Sequence, residues 1–153
     1  MFGLRYNFKE KWTILSDLTW TNWKVPKRLT IDFDNPSQPS STLDFAFKNT
    51  IRASLGLIYR VNSSWVIRTG FAFDESPVRN VQTRTFRVPD SDRYWLAIGV
   101  GFRQNSNLKF NFGYAHIFFK DALIEQENAF GHNIKGSLVS QANIISAELQ
   151  WTF

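Results

Sequence analysis

The feature that most constrains this chain is an alternation of apolar and polar residues that recurs along almost its whole length. Its final stretch, "ISAELQWTF", has one apolar face and one polar or small face. The apolar positions of this stretch are Ile145, Ala147, Leu149, Trp151 and Phe153. Successive side chains of a β-strand point to opposite faces, so a period of two predicts strands with two unlike faces. The 3.6-residue period of amphipathic helices is nearly absent, and the chain is therefore predicted to be all-β.

About seven stretches show this alternation, with lengths that suit the roughly 9–11 residues of a tilted strand crossing a bilayer. They cover residues 1–8, 12–20, 51–61, 65–74, 94–103, 108–115 and 145–153. No apolar run approaches the roughly 18 residues that a membrane-spanning helix requires. If this chain crosses a membrane, we therefore expect strands to do so.

The two faces of these stretches differ in size as well as in polarity. The chain has six Trp and fifteen Phe, and most of those within the stretches fall on the apolar faces. The polar faces hold Gly56, Gly70, Gly99, Gly101 and Gly113. A soluble barrel buries its bulky residues, whereas a membrane barrel turns them towards lipid and lines its interior with small, polar or charged ones. Glycine-rich polar faces suit a crowded interior, so the membrane arrangement is favoured.

The connections between the stretches alternate between short and long. Short joins lie at residues 9–11, 62–64 and 104–107, and long ones lie at 25–43, 75–92 and 121–140. Short turns at one end and long loops at the other are typical of outer-membrane barrels, in which the short turns are periplasmic. Pro36 and Pro39 predict that the first long loop is irregular.

The tryptophans fall at two levels along the strands. Trp12, Trp65 and Trp151 lie beside tight turns or the chain's end, while Trp20, Trp23 and Trp95 lie near long loops. Indole is amphipathic and settles at the headgroup level of a bilayer, so two such levels indicate two interfacial girdles. The alternative is that these residues form the core of a soluble sandwich.

Three stretches resemble the long-chain fatty acid transporter family of Gram-negative outer membranes (FadL type). Residues 50–78, "TIRASLGLIYRVNSSWVIRTGFAFDESPV", are similar to the family's hairpin, with "R-x-x-L-G", a short turn, "W-x-x-R-x-G" and "D-x-S-P-V". Residues 88–102, "VPDSDRYWLAIGVGF", resemble its Pro–Asp–x–Asp–Arg start of the next strand, and residues 12–23, "WTILSDLTWTNW", resemble a third strand. The order, the spacing and the terminal Phe153 also agree, so the resemblance extends over essentially the whole chain.

This resemblance implies a monomeric, transmembrane, antiparallel up-and-down β-barrel of roughly fourteen strands, with an N-terminal plug in its lumen. Residues 1–153 would supply the C-terminal half of that outer-membrane barrel, without the plug and the first strands. Seven strands would leave two open edges, and unpaired backbone groups in lipid are costly. A fragment of a longer protein is therefore expected, and a self-associating half-barrel is the alternative.

The function that the resemblance implies is passive diffusion of long-chain fatty acids or similar hydrophobic molecules through a barrel in the bacterial outer membrane. No enzyme, cofactor or metal site is expected, because His116 and His132 lack carboxylate or thiol neighbours at ligand spacing. Asp90 and Asp92 indicate a turn before a strand rather than an acid/base pair. The net charge of +5 is scattered rather than striped, so no nucleic-acid partner is expected.

Transport of a fatty acid requires apolar surface for the tail and a cation for the carboxylate. The predicted facing places several bases inside the lumen or at its outer end. The candidate ligand-binding residues are Lys48, Arg52, Arg68 and Arg103. The alternative is that these bases pair with lumen acids; a hairpin centred on residues 62–64 places Arg52 opposite Asp74.

Partners other than the substrate are predicted from the loops and from the last strand. Bases in the long loops suit contact with lipopolysaccharide phosphates, although solvated charge is the alternative; they are Lys27, Arg28, Arg79, Arg84, Arg87 and Lys135. A C-terminal strand ending in Phe153 resembles the signal by which the outer-membrane assembly machinery recognises barrels. Two other functions stay open: an outer-membrane channel for aromatic hydrocarbons, and a soluble β-barrel that binds lipids.

Overall fold

A computed structural model of the chain describes residues 1–25, 28–35, 37–38, 40–85, 89–127 and 133–153. The described residues contain eleven β-strands. These are β1 (Phe2–Phe8), β2 (Trp12–Thr21), β3 (Arg28–Ile31), β4 (Ser41–Asp44), β5 (Thr50–Arg60), β6 (Trp65–Asp74), β7 (Arg93–Arg103), β8 (Leu108–Phe119), β9 (Ala122–Glu127), β10 (Asn133–Leu138) and β11 (Gln141–Trp151). Within these ranges no helix is both long and apolar enough to cross a membrane.

Seven of the strands form one antiparallel sheet with the order β1-β2-β5-β6-β7-β8-β11. This order follows the chain, so the predicted up-and-down topology and the predicted number of large strands are confirmed. Short turns join β1 to β2, β5 to β6 and β7 to β8, and the long connections lie at the opposite end of the sheet. In the described part of the chain β1 and β11 are edges, so the seven strands form an open wall of a barrel.

Four short strands lie inside the long connections, where the sequence predicted only loops. β3 pairs with β4, and β9 pairs with β10, each as an antiparallel hairpin. The prediction of an irregular first long connection is therefore wrong for the part that β3 and β4 occupy. β3 and β4 have only four residues each, and a period of two cannot be distinguished from chance over so few. Pro36 and Pro39 lie outside the described residues.

The last two large strands are longer at the loop end than the sequence predicted. β8 continues to Phe119, and β11 begins at Gln141. Polar His116 and Asn143, which lie opposite each other on the apolar face, interrupt the alternation there. That interruption hid the continuation of both strands.

The register separates a bulky face from a glycine-bearing face, as predicted. Leu55 lies beside Phe71, and Phe71 beside Leu96; these side chains are 50–58% exposed. Proteins in water avoid contiguous apolar surface of this extent, so this outward face is suited to contact with hydrocarbon. On the other, inward face, Arg68 lies opposite Gly99.

Candidate functional site

The inward face carries three of the four predicted site residues, at different heights. Arg52 lies near the loop end of β5, Arg68 lies within β6, and Arg103 ends β7 beside a short turn. Lys48 precedes β5 at the loop end. The four bases are therefore spread along the wall rather than gathered into one site.

Lys48 forms an ion pair with Glu75, with 2.5 Å between Nζ and Oε1. The other carboxylate oxygen of Glu75 accepts a hydrogen bond from the backbone N–H of Ile51 at 3.1 Å. The hydrogen bond from Lys48 is the main cause that lowers the pKa of Glu75, and it outweighs desolvation. The positive charge of Lys48 is therefore already neutralised within the protein.

Arg52 lies opposite Asp74 in the register, as the sequence predicted. The predicted ion pair between them does not form, however, because Asp74 Oδ2 accepts a hydrogen bond from Arg93 Nε at 3.0 Å. Arg52 instead places its guanidinium carbon 6.0 Å from the centre of the Trp95 ring. Among the described residues no carboxylate forms an ion pair with Arg52.

A hydrogen-bonded cluster connects the end of β6 with the start of β7. The backbone N–H of Ser76 donates to Asp92 Oδ1, and its hydroxyl donates to Asp90 Oδ2, both at 2.9 Å. Asp90 Oδ1 accepts from Arg93 Nη1 at 3.2 Å, and Arg93 also binds Asp74. These aspartates thus hold the connection before a strand, in agreement with the predicted turn.

An apolar recess of about 470 Å³ opens beside this cluster at the loop end of the wall. The indole N–H of Trp23 donates to the hydroxyl of Thr50 at 3.1 Å, and the ring meets Phe47 edge-on at 6.3 Å between centroids. Trp23 therefore lies at the predicted level but lines a recess. The lining residues are Trp23, Phe47, Pro77, Val78, Pro89, Asp90 and Arg93.

The half of the inward face nearer the short turns holds a second polar network. Arg68 Nη1 donates to Asn111 Oδ1 at 3.1 Å, and Asn111 Nδ2 donates to Glu148 Oε2 at 2.9 Å. A Cβ atom at Gly101 would lie 2.8 Å from Asn111 Oδ1, so a glycine leaves room for this network. In the part of the chain that the structure describes, the Asn111 amide therefore links Arg68 to Glu148, and Arg68 forms no direct ion pair.

Arg103 and Lys109 lie directly opposite each other beside the short turn between β7 and β8. Like charges in this position repel each other. No carboxylate in the described ranges forms an ion pair with either. This end of the inward face therefore presents unneutralised positive charge.

The sequence did not predict the roles of Arg93, Ser76 and Trp95 at the loop end of the wall. The signal was present in "D-x-S-P-V" and "PDSDR", because the polar residues of the two stretches bind each other. The sequence of a single chain does not show which loop residues meet, so the contact between the two stretches could not be predicted. His132 lies outside the described residues. His116 lies on the outward face, hydrogen-bonded to Asn143.

Two of the loop bases bind within the protein rather than extending into solvent. Arg84 donates to the backbone oxygens of Asp90 at 3.0 Å and Leu123 at 2.7 Å. Arg79 donates to the backbone oxygen of Phe47 at 3.4 Å. These two bases therefore tie neighbouring loops together.

The other loop bases give little further support for a lipopolysaccharide contact. Lys135 forms an ion pair with Glu125 within the β9–β10 hairpin. Arg28 lies at the start of β3, and Lys27 and Arg87 lie outside the described residues. A loop contact with lipopolysaccharide therefore stays a prediction.

Comparison with protein families gives a match over the whole chain. The family described as "Outer membrane protein transport protein (OMPP1/FadL/TodX)" matches residues 1–153. The long-chain fatty acid transport protein of Escherichia coli K12 is 31% identical over 119 residues, which cover 76% of this chain and 26% of that protein. Outer membrane protein P1 of Haemophilus influenzae is 24% identical over 156 residues, covering 97% and 33%.

Solved structures give the same fold. A crystal structure of a Pseudomonas aeruginosa FadL homologue matches with a TM-score of 0.86 at 24% identity. The match covers 97% of this chain and 34% of the homologue. The chain thus spans between about a quarter and a third of the length of these relatives, and its sheet is part of a β-barrel wall.

Proposed function

This chain belongs to the OMPP1/FadL/TodX family of outer membrane transport proteins, and on that premise we propose that it forms part of a passage for hydrophobic molecules. Proteins of this family lie in the bacterial outer membrane, so the bulky face of the sheet meets lipid and the other face lines the lumen. The alternative of a soluble lipid-binding barrel is thereby set aside. By the same orientation the loop end is extracellular, and the short turns are periplasmic.

The substrate class that we propose is long-chain fatty acids, taken up from the cell exterior by passive diffusion. The observation that carries this proposal is the apolar recess at the extracellular mouth, next to inward-facing bases. Burial of each CH₂ group contributes about 0.8 kcal/mol, so a long tail supplies most of the affinity. Trp23, Phe47 and Val78 provide the apolar surface that a tail requires.

Arg52 is the base that best suits the carboxylate. Lys48 is the weaker candidate, because Glu75 already neutralises it. Arg52 has no acidic partner among the described residues, and a carboxylate buried without a counter-charge would lose much of the gain from its tail. Trp95 lies beside the guanidinium and would hold it in the lumen by a cation–π contact. The recess is close by, since Asp74, opposite Arg52, binds the recess residue Arg93.

Arg68 and Arg103 lie farther towards the periplasm and would meet the carboxylate later in its passage. Arg68 is held in place by Asn111, and Arg103 lies opposite a second base. A row of bases at increasing depth offers successive sites for an anion. Each contact is then weak enough to release the substrate to the next.

A channel for aromatic hydrocarbons is the second candidate, and the composition of the recess favours it. Its lining includes two aromatic rings and two prolines, and these surfaces accept flat apolar rings as readily as acyl chains. Such a substrate has no carboxylate and would not require Arg52. The two candidates therefore differ in their dependence on that one charge.

Uptake of labelled oleate and labelled toluene by cells that carry the complete gene tests the proposal. We expect Arg52→Gln to lower oleate uptake about tenfold, equivalent to about 1.4 kcal/mol, and to leave toluene uptake unchanged. Lys48→Gln should have a smaller effect, and Lys9→Gln, a change of the same charge at a periplasmic turn, should have none. Oleate uptake that is unchanged in Arg52→Gln, at equal amounts of folded protein, would overturn the fatty acid proposal. Loss of toluene uptake alone, caused by bulky substitution in the recess, would favour the second candidate.

The last strand supports a further proposal about assembly. Phe153 is fully exposed, and its ring stacks on Trp151 with 5.6 Å between centroids. We propose that the outer-membrane assembly machinery recognises this aromatic end. Phe153→Ala should therefore reduce the amount of folded barrel in the outer membrane.

A further inference from the structure

The outward face carries a polar cluster within its apolar surface. Tyr114 and His116 of β8 and Asn143 of β11 form it. The hydroxyl of Tyr114 donates to Asn143 Oδ1 at 2.7 Å, and His116 Nδ1 lies 2.7 Å from the same oxygen. Because both donors meet at one acceptor, the Nδ1 atom of His116 carries a proton in this arrangement.

The bonds within this cluster leave two donors and one acceptor without a partner. Asn143 Nδ2 has two N–H groups, and His116 Nε2 is an acceptor because Nδ1 carries the proton. None of these groups has a hydrogen-bond partner among the described residues. Polar groups that face hydrocarbon are costly unless they are hydrogen-bonded. We therefore expect a ligand that brings acceptor atoms to Asn143 and a donor to His116 at the lipid-facing wall.

The height of the cluster identifies the leaflet. His116 pairs with Asn143, and only one outward-facing pair, Phe118 with Gln141, lies closer to the extracellular end of these two strands. Tyr94, an outward-facing aromatic residue near the loop end of β7, pairs with Phe118. The cluster thus lies just inside these outward-facing aromatic residues, at the level where head groups of the outer leaflet join their acyl chains.

An apolar groove of about 620 Å³ begins at the cluster and continues towards the membrane centre. Tyr114 belongs to both, since its ring lines the groove and its hydroxyl binds Asn143. Ala147 lies opposite Phe112, and its small side chain leaves a gap in a row of larger ones. The other apolar side chains that line the groove are Ile67, Ile98, Val100 and Ile145.

We propose that this groove and cluster bind one lipid A moiety of lipopolysaccharide. An acyl chain lies in the groove, sugar or phosphate oxygens at its head accept hydrogen bonds from Asn143 Nδ2, and a hydroxyl or amide N–H of the head donates to His116 Nε2. The outer leaflet of this membrane consists of lipopolysaccharide, and a polar end that faces outwards with an apolar groove below it matches the orientation of that lipid. A phospholipid of the inner leaflet would have the reverse orientation. This site lies on the opposite face from the lumen and does not depend on the transported substrate.

Native mass spectrometry of the complete protein, purified from outer membranes in mild detergent, tests the proposal. We expect the wild type to retain one lipid A per barrel. His116→Leu combined with Asn143→Leu should retain about tenfold less, because two hydrogen bonds are lost. Ala147→Phe should also retain less, because its ring fills the groove. Ser16→Leu is the matched control, since Ser16 lies on the same outward face but on β2, and it should retain as much as the wild type.

Two results would overturn the proposal. One is that the wild type and the three variants all retain the same amount of lipid A. The other is that all four retain phospholipid in equal amounts and no lipid A. The heat-dependent gel mobility of the barrel shows that each variant is folded. Ala147→Phe leaves every polar group in place, so the test remains decisive even where the double variant does not assemble.

Discussion

At the scale of single residues, the ion pair of Lys48 with Glu75 joins the segment before β5 to the end of β6. The backbone N–H of Lys48 donates to the oxygen of Pro77 at 2.9 Å, and Glu75 binds the N–H of Ile51. Side-chain and backbone contacts thus connect the segment before β5 to the segment after β6 at the extracellular mouth. The pair positions the rim of the apolar recess, and this structural role is the reason that we assign the carboxylate to Arg52.

The lowered pKa of Glu75 predicts how its contacts with Lys48 and with the Ile51 N–H respond to acid. Its folded pKa lies below the ordinary value of 4.5, so its contribution is fully present above that value and is lost as the pH falls through the folded pKa. Hydrogen–deuterium exchange at Ile51, corrected for the intrinsic rate, should show about two- to fivefold less protection once Glu75 is protonated. Glu75→Gln should show the low protection already at pH 7. Protection in the wild type that does not change with pH would contradict this prediction.

Contacts between side chains were the least predictable feature of this chain. The alternation and the turn at residues 62–64 predicted that Arg52 lies opposite Asp74, and the register agrees. The carboxylate nevertheless binds Arg93, which also lies opposite Asp74, on the neighbouring strand β7. Every inner strand of a sheet has two neighbours, and the sequence of one hairpin does not show which of them supplies the partner.

At the scale of elements, two periplasmic turns use the same device. Asn62 Oδ1 accepts from the backbone N–H groups of Ser64 and Trp65, each at 2.9 Å. Asn105 Oδ1 accepts from Asn107 and Leu108 at the same distances. An Asn side chain that binds the backbone two and three residues later holds a tight turn without glycine.

We predict that Asn62→Ala and Asn105→Ala each lower the free energy of unfolding by about 1 kcal/mol. Asn62→Asp should be close to neutral, because a carboxylate accepts the same two hydrogen bonds. The measurement is the urea midpoint of the complete barrel in lipid vesicles. Ser63→Ala, in the same turn, is the control, and an equal loss in this variant would show that the Asn side chain is not the cause.

The length of an element decided whether the sequence could predict it. The large strands have at least seven residues, so their alternation is evident, and all seven were predicted. The hairpins β3–β4 and β9–β10 are shorter and lie among polar loop residues, which conceal any period. His116 and Asn143 concealed the loop ends of β8 and β11 for a different reason, since a polar pair on an otherwise apolar face breaks the pattern that identifies the strand.

At the scale of the whole molecule, the sheet has two unlike faces and two open edges. β1 and β11 are the edges within the described residues, and in lipid their unpaired backbone groups require further strands. The chain spans about a third of the solved homologue, and the remaining strands of such a barrel would pair at these edges. The separation of the two faces is independent of closure, because the register alone fixes which side chains share a face.

Neighbouring residues of β5 test this division of faces with one substitution at each. Leu55 faces outwards and is 58% exposed, while Ser54 is the adjacent residue and faces the lumen beside Asp17. Arg near the bilayer centre on the lipid side costs about 2–4 kcal/mol, so Leu55→Arg should strongly reduce the fraction of folded barrel in the outer membrane. Ser54→Arg should be tolerated, because the lumen is polar and Asp17 is close enough to pair with the new charge. The heat-dependent gel mobility of the complete protein measures both. If Leu55→Arg folded normally and Ser54→Arg did not, the assignment of the two faces would have to be reversed. The assignments of Arg52 to the substrate and of Asn143 to lipid A would then both be wrong.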